Sequence, residues 1–284
     1  MAFLGLSGAL SVFITIGIVV ALLVPALDFF RQVSLGDFLT GTRWAPTFAD
    51  RSFGVLPLVT GTLWTTAIGL MVAVPIGLAV AIYLAEYAST RVRKTFKPML
   101  ELLAGIPSVV YGYFALSFVA PVFLQRILHV DVGTYSVLSA GLVLGVMIIP
   151  TIASLSEDAM SAVPQTLRHG SLALGANKLR TTLRVVFPAA ISGIAAAIVL
   201  GLSRAVGETM IVALAAGTRA DVVTDPTMNG QTMTGFIAQT ATGESTPGTL
   251  TYDTLFAVGL LLFALTLFFN IISIRLVRRF REAY

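Results

Sequence analysis

Cysteine is absent from the 284 residues, which excludes disulfides and thiolate metal sites. Histidine is nearly absent too: His129 and His169 are too few for a His-based metal site. Both lie outside the long apolar runs, so no serine–histidine dyad is supported inside them. The chain has no G-x-x-x-x-G-K-S/T phosphate loop and no H-E-x-x-H zinc motif, so it does not itself bind ATP in the P-loop manner. A chemical active site is therefore not expected. Charge is scarce as well, at 11% of residues against about 25% in a typical soluble domain. With 56% hydrophobic residues and a mean hydropathy of +0.91, a soluble fold of this length could not hide its apolar surface. The solvent must be lipid.

Six apolar runs are long enough to cross a bilayer core, which needs about 20 residues as helix. They fall near 4–26, 56–84, 98–124, 135–155, 189–216 and 254–276. The first lacks a basic flank and exceeds a secretory core in length, so it reads as a retained helix. The connections after spans two, four and six carry four Lys or Arg each, while those after one, three and five carry three, one and one. That asymmetry places both termini in the cytoplasm. Outer acidic residues such as Asp221, Asp225, Glu244 and Asp253 do not oppose it, because carboxylates contribute little to orientation. The net charge of +4 is thus a topology signal, and nucleic acid is not an expected partner. The fold class is an all-α, six-helix integral membrane protein, one transmembrane domain over 1–284.

Two outer connections are long, 28–55 and 217–253. The second is punctuated by Asp225-Pro226 and Asn229-Gly230, and suits a docking surface or a cap over a pore. Inside span three, Gly105, Pro107 and Ser108 should kink or unwind the helix. Unwound backbone at membrane depth is tolerated only against protein or a water-filled cavity, so pathway lining and a plain packing kink are both open. The inner segment 156–188 reads as helix, Pro164 turn, then helix, with leucines interleaved among basic residues. A short exposed helix of this kind wants a partner groove, or lies at the lipid headgroups.

Arg204 and Glu208 are the only charges in the 28 residues of 189–216. A charge at such depth costs about 2.5–3.5 kcal/mol on insertion scales and marks a pathway or a partner. Four residues apart, the two lie on one helix face and can pair with each other. Sixteen residues beyond Pro188, Arg204 would lie roughly 24 Å along that helix, near the midplane or somewhat outward. Three readings are open: contact with an anion in passage, a gating ion bridge, or a buried pair fixing helix register. Ser203 and Thr209 are secondary candidates through their hydroxyls, although small polar residues also serve helix packing.

The run Ser171-Leu172-Ala173-Leu174-Gly175-Ala176, with Val185 and Phe187-Pro188 after it, resembles the cytoplasmic loop of permease subunits of ABC importers. Gly175 stands thirteen residues before Pro188; His169-Gly170-Ser171 stands where that family has Glu-Ala-Ala. Other stretches look like phosphate-specific importer permeases of the C type: Gly41-Thr42-Arg43-Trp44-Ala45-Pro46, Leu103-Ala104-Gly105-Ile106-Pro107-Ser108 and Arg204-Ala205-Val206-Gly207-Glu208-Thr209-Met210. The resemblance covers roughly residues 35–284, and residues 1–34 match only as a generic first helix.

That resemblance implies a type I importer fold, an N-terminal helix plus a five-helix core, in the bacterial cytoplasmic membrane. It implies a homologous A-type permease as heterodimer partner, two copies of a cytosolic ATPase that bind ATP and Mg, and a periplasmic phosphate-binding protein. The chain itself would bind no cofactor or metal and catalyse nothing. Ser171 through Asn177 would lie in the coupling helix seated on the ATPase. Arg204, Glu208, Thr209 and Ser203 would line or gate the phosphate pathway. A sulfate or molybdate permease, or a scaffold in phosphate-status signalling, stays open as an alternative.

Overall fold

In a computed structural model, which describes residues 2–243 and 246–279, the chain is a bundle of helices; Glu244 and Arg281 lie outside the described residues. Helix α1, Ala2–Gln32, runs on past the expected end and packs along the last helix. A short helix α2, Leu35–Thr40, starts on Ser34, whose hydroxyl accepts from the Asp37 N–H at 3.1 Å. Strands β1 (Trp44–Ala45) and β2 (Ser52–Phe53) then pair antiparallel. The outer connection after span one is therefore folded. Its Phe38 and Trp44 meet Phe29 of α1 and Phe236 in edge-to-face contacts, closing an apolar cluster on the outer side of the bundle.

The second crossing is α3, Leu56–Ile82, ending in a wider π-type turn at Tyr83–Tyr87. It lies along α6, Val137–Ser161, the most enclosed helix of the bundle. Small residues allow this. A Cβ on Gly145 would stand 2.8 Å from the Gly69 carbonyl oxygen, closer than real contacts permit, so only glycine lets the two backbones approach. Leu144, Met147, Ile148 and Ile152 fill the resulting core.

The third expected span, 98–124, is divided. Helix α4, Thr90–Ala104, buries none of its residues and is separate from α5, Ser108–Phe114, which continues as a π-helix over Ala115–Ile127. Pro107 is the reason: it lacks an N–H and prefers to start a helix rather than continue one, and it stands immediately before α5. The apolar crossing is thus Ser108–Ile127, with α4 as a separate, amphipathic and basic helix beside it.

On the inner side, α6 ends at Ser161, and the turn at 162–164 leads to α7, Gln165–Ala173. The short helices α8 (Lys178–Thr181) and α9 (Phe187–Ala189) flank a π turn at Thr182–Val186. Helix α10, Ile191–Val206, then departs at 70°. The fifth expected span is therefore bent at its start and broken near its end, before α11, Met210–Ala215. Beyond it, the turn-rich segment 217–253 is more ordered than its turn dipeptides suggest. It contains α12, Met233–Thr242, whose Met233 and Phe236 pack into the outer cluster, and the start of α13, Leu250–Arg279. Among the described residues, five helices are long and apolar enough to cross a membrane, and the bent α8–α10 unit makes six if it is counted as one span.

Candidate functional site

Arg204 occupies the last turn of α10, where the helix dipole favours a cation. The expected pairing with Glu208 does not form, and the two do not share a continuous helix. Helix α10 stops at Val206, residues 207–209 break it, and the Glu208 carboxylate turns to the next helix. Its Oε1 accepts from the N–H groups of Met210 and Ile211 at 3.0 and 3.3 Å, satisfying two donors that a helix start leaves free. The Thr234 hydroxyl donates to the Glu208 carbonyl at 2.7 Å, tying the break to α12. Gly207, a poor helix former, stands where the chain leaves α10.

The Arg204 guanidinium instead reaches across the bundle. Nη1 donates to Thr151 Oγ1 of α6 at 3.3 Å, and Nη2 to the Ala104 carbonyl at 3.5 Å, the last turn of α4. Both bonds are long and both acceptors neutral. Tyr111, whose hydroxyl donates to the Leu103 carbonyl at 3.1 Å, stands within the field of the same charge. Two features that the sequence held a hundred residues apart thus meet: the break at Gly105, Pro107 and Ser108, and the intramembrane arginine. Among the described residues no carboxylate pairs with Arg204. A half-buried guanidinium with planar donors to spare is a group able to take an oxyanion in fork geometry.

Ser203 and Thr209 are not brought to that point. The Ser203 hydroxyl donates to Asn270 Oδ1 of α13 at 2.9 Å, on a different side of α10. The Thr209 hydroxyl donates to the Gly207 carbonyl at 3.2 Å, within the break itself.

The inner ends of the helices carry two charge clusters that sequence reasoning counted only for topology. Glu157, fully buried in the last turns of α6, pairs with Arg93 and Lys97 of α4, the latter at 2.8 Å. Ser161 completes the cluster, donating to Glu157 and accepting from Arg93, both at 2.8 Å. Lys97 also pairs with Asp158. Burial works to lower the Lys97 pKa, but the hydrogen bonds to Asp158 and Glu157 outweigh it and hold the ammonium above its ordinary value. In the second cluster, Arg168 of α7 pairs with Glu86 at 3.0 Å and donates to the carbonyls of Met160, at 2.8 Å, and Val163. The Met160 carbonyl, in the last turn of α6, also accepts from the Val163 N–H at 3.2 Å, and Val163 lies in the turn that follows. The readable signal was the acidic pair Glu157-Asp158 closing one apolar run opposite the basic run Arg91–Lys97 closing another.

The segment after α7 turns on Gly175, whose φ of +81° lies in the left-handed region that favours glycine. Asn177 starts α8, its side chain accepting from the Arg180 N–H at 2.8 Å. Ser171 and Thr181 share a hydrogen bond of 2.9 Å across the turn. At the tip, Leu174 is 91% exposed, with Leu172 and Leu179 half exposed around it. The capped turn thus presents an apolar tip at the surface.

Comparison with known proteins gives this arrangement a place. The model of the binding-protein-dependent transport system inner membrane component matches residues 73–282. The chain belongs to that family of ABC importer permeases. A probable ABC transporter permease of Bacillus subtilis, YqgH, is 38% identical over 257 residues, covering 90% of this chain and 82% of its own. The phosphate transport system permease protein PstC 1 of Mycobacterium tuberculosis is 35% identical over 277 residues, covering 85% and 81%. PstC of Haemophilus influenzae is 31% identical, covering 96% and 91%. Among solved structures, a bacterial alginate ABC transporter in complex with its periplasmic protein superposes with a TM-score of 0.61 at 16% identity, over 95% of this chain and 94% of that one. The methionine transporter MetNI, inward facing, gives 0.57 at 20% identity, over 81% and 95%. The fold is that of a type I importer permease, and the chain is a multi-pass membrane subunit of such a transporter.

Proposed function

We propose that this permease carries phosphate across the bacterial inner membrane as the C-type half of a permease heterodimer. Two copies of a cytosolic ATPase, the subunits that bind ATP and Mg, sit below it, and a periplasmic phosphate-binding protein docks above. The unpaired Arg204 guanidinium at the α4–α5 break carries the reading, and the relatives named as phosphate permeases agree with it. In this reading Arg204 touches the anion in passage and releases it, since its present partners are neutral and loosely held. Glu208 braces the break rather than balancing the charge. The 156–188 segment couples to the ATPase through Ser171 to Asn177, with Leu174 as its knob. The outer segment 217–253 faces the binding protein.

The test is uptake by vesicles containing all subunits, with phosphate and sulfate offered in parallel. Arg204→Gln abolishes phosphate uptake while the complex still assembles. Normal transport by this variant would remove Arg204 from the pathway, and failed assembly would make it a register residue. Sulfate uptake without phosphate uptake in the unmodified complex would overturn the substrate.

A further inference from the structure

The final turns of α6 are gripped from two sides. On one side Arg168, from the coupling segment α7, holds the Met160 and Val163 carbonyls together with the buried Glu86 carboxylate. On the other side Glu157, three residues before Met160, holds Arg93 and Lys97 of α4. Helix α4 has no buried residue, so these charges rather than apolar packing tether it to the bundle. Seven residues on from Lys97, about 10 Å at 1.5 Å per residue, the same helix ends in the Ala104 carbonyl that accepts from Arg204.

We infer that Glu157 is a positioning residue for transport: it clamps α4 to the α6 end that α7 moves, and so sets whether Arg204 is held by Ala104 or free for the anion. This rests on the reading of Arg204 given above. The chemistry suits the role. Glu157 is fully buried, so its pairs act in a low dielectric and resist slipping. The Arg204–Ala104 contact, at 3.5 Å to a neutral oxygen, is weak enough to be exchanged in each cycle. Displacement of α7 by the ATPase therefore reaches Arg204 through two ion-paired grips and one helical lever, a contiguous chain of contacts that coupling can follow.

The chain has no cysteine, so spin labels can be placed singly in the full complex when the other subunits carry no reactive thiol. One label pair joins His169 of α7 to Val146 of α6, and another joins Leu102 of α4 to Val146; all three positions are exposed. Addition of ATP and Mg shifts both distances in the unmodified chain. In Glu157→Gln the His169 shift persists, the Leu102 shift falls to less than about half, and phosphate carried per ATP hydrolysed drops about tenfold. Lys97→Met and Arg93→Met, which break the grip from the α4 side, give the same split. A Leu102 shift that persists undiminished in Glu157→Gln overturns the inference, as does failure of all three variants to assemble. The distances report independently of substrate contact, so normal transport by Arg204→Gln would remove the pathway reading without touching the lever.

Discussion

The Glu86–Arg168 pair offers a stability prediction with a sign that distinguishes its cause. The side chains are 7% and 10% exposed, and Arg168 directs its donors to one carboxylate and two backbone carbonyls. Arg168→Met strands the Glu86 carboxylate in a nearly dry site and removes the donor from the Met160 and Val163 carbonyls. Breaking a buried pair this way costs about 3–5 kcal/mol. Glu86→Gln keeps an acceptor in place and leaves Arg168 on its two carbonyls, for a smaller cost of about 1–3 kcal/mol. Replacing both, Glu86→Leu with Arg168→Met, removes the stranded charge, so the double variant should be more stable than Arg168→Met alone. Denaturant titration of the purified chain in mixed micelles, run as a double-mutant cycle with Glu86→Leu as the second single variant, reads these differences. If the double variant loses as much as the sum of its parts, stranded charge is not the cause. If Arg168→Met lies within about 1 kcal/mol of wild type, the pair is not a structural grip at all.

Four further outcomes are expected. Gly145→Val places methyl groups where the Gly69 carbonyl stands and should destabilise the α3–α6 contact by about 1–3 kcal/mol, checked by the same titration. Gly175→Ala has open space around it and should lose only about 1 kcal/mol from its left-handed backbone; Leu174→Asp should leave the chain's stability unchanged and abolish co-purification of the ATPase. The Lys97 pKa is raised in the folded chain, so its contribution is complete below the ordinary value of 10.5 and is lost only as pH rises through the folded value. The stability difference between wild type and Lys97→Met should accordingly stay flat from pH 7 to pH 9.

Much of this protein could be read from residue order, because the relevant physics is local or collective. A chain with 56% hydrophobic residues and 11% charge cannot fold in water as a single domain, so membrane class follows, and the six apolar runs match the five to six candidate spans of the structure. In the segment 156–188 the Pro164 turn into a second helix was equally legible, whereas the further turn at Gly175 and the fresh helix start on Asn177 were not expected. The break in span three was signalled by Pro107, but its extent was not. Whether a proline kinks a helix or divides it depends on what packs on either side, and α4 packs too little to stay in line with α5.

The charged pair shows the limit most sharply. Spacing alone put Arg204 and Glu208 on one face, because the four-residue rule assumes an unbroken helix. Competition from the Glu208 carboxylate for the Met210 and Ile211 N–H groups, with Gly207 beside it, ended that helix. Only the tertiary structure could then show that Arg204 lies against Ala104 and Thr151, and that Glu157 gathers Arg93 and Lys97 from sixty residues away. The sequence by itself determined the solvent, the all-helical multi-pass class and the presence of an arginine within an apolar run. The partners of that arginine were decided by long-range packing, where the energy of a charge depends on which groups the fold brings within a few ångströms of it.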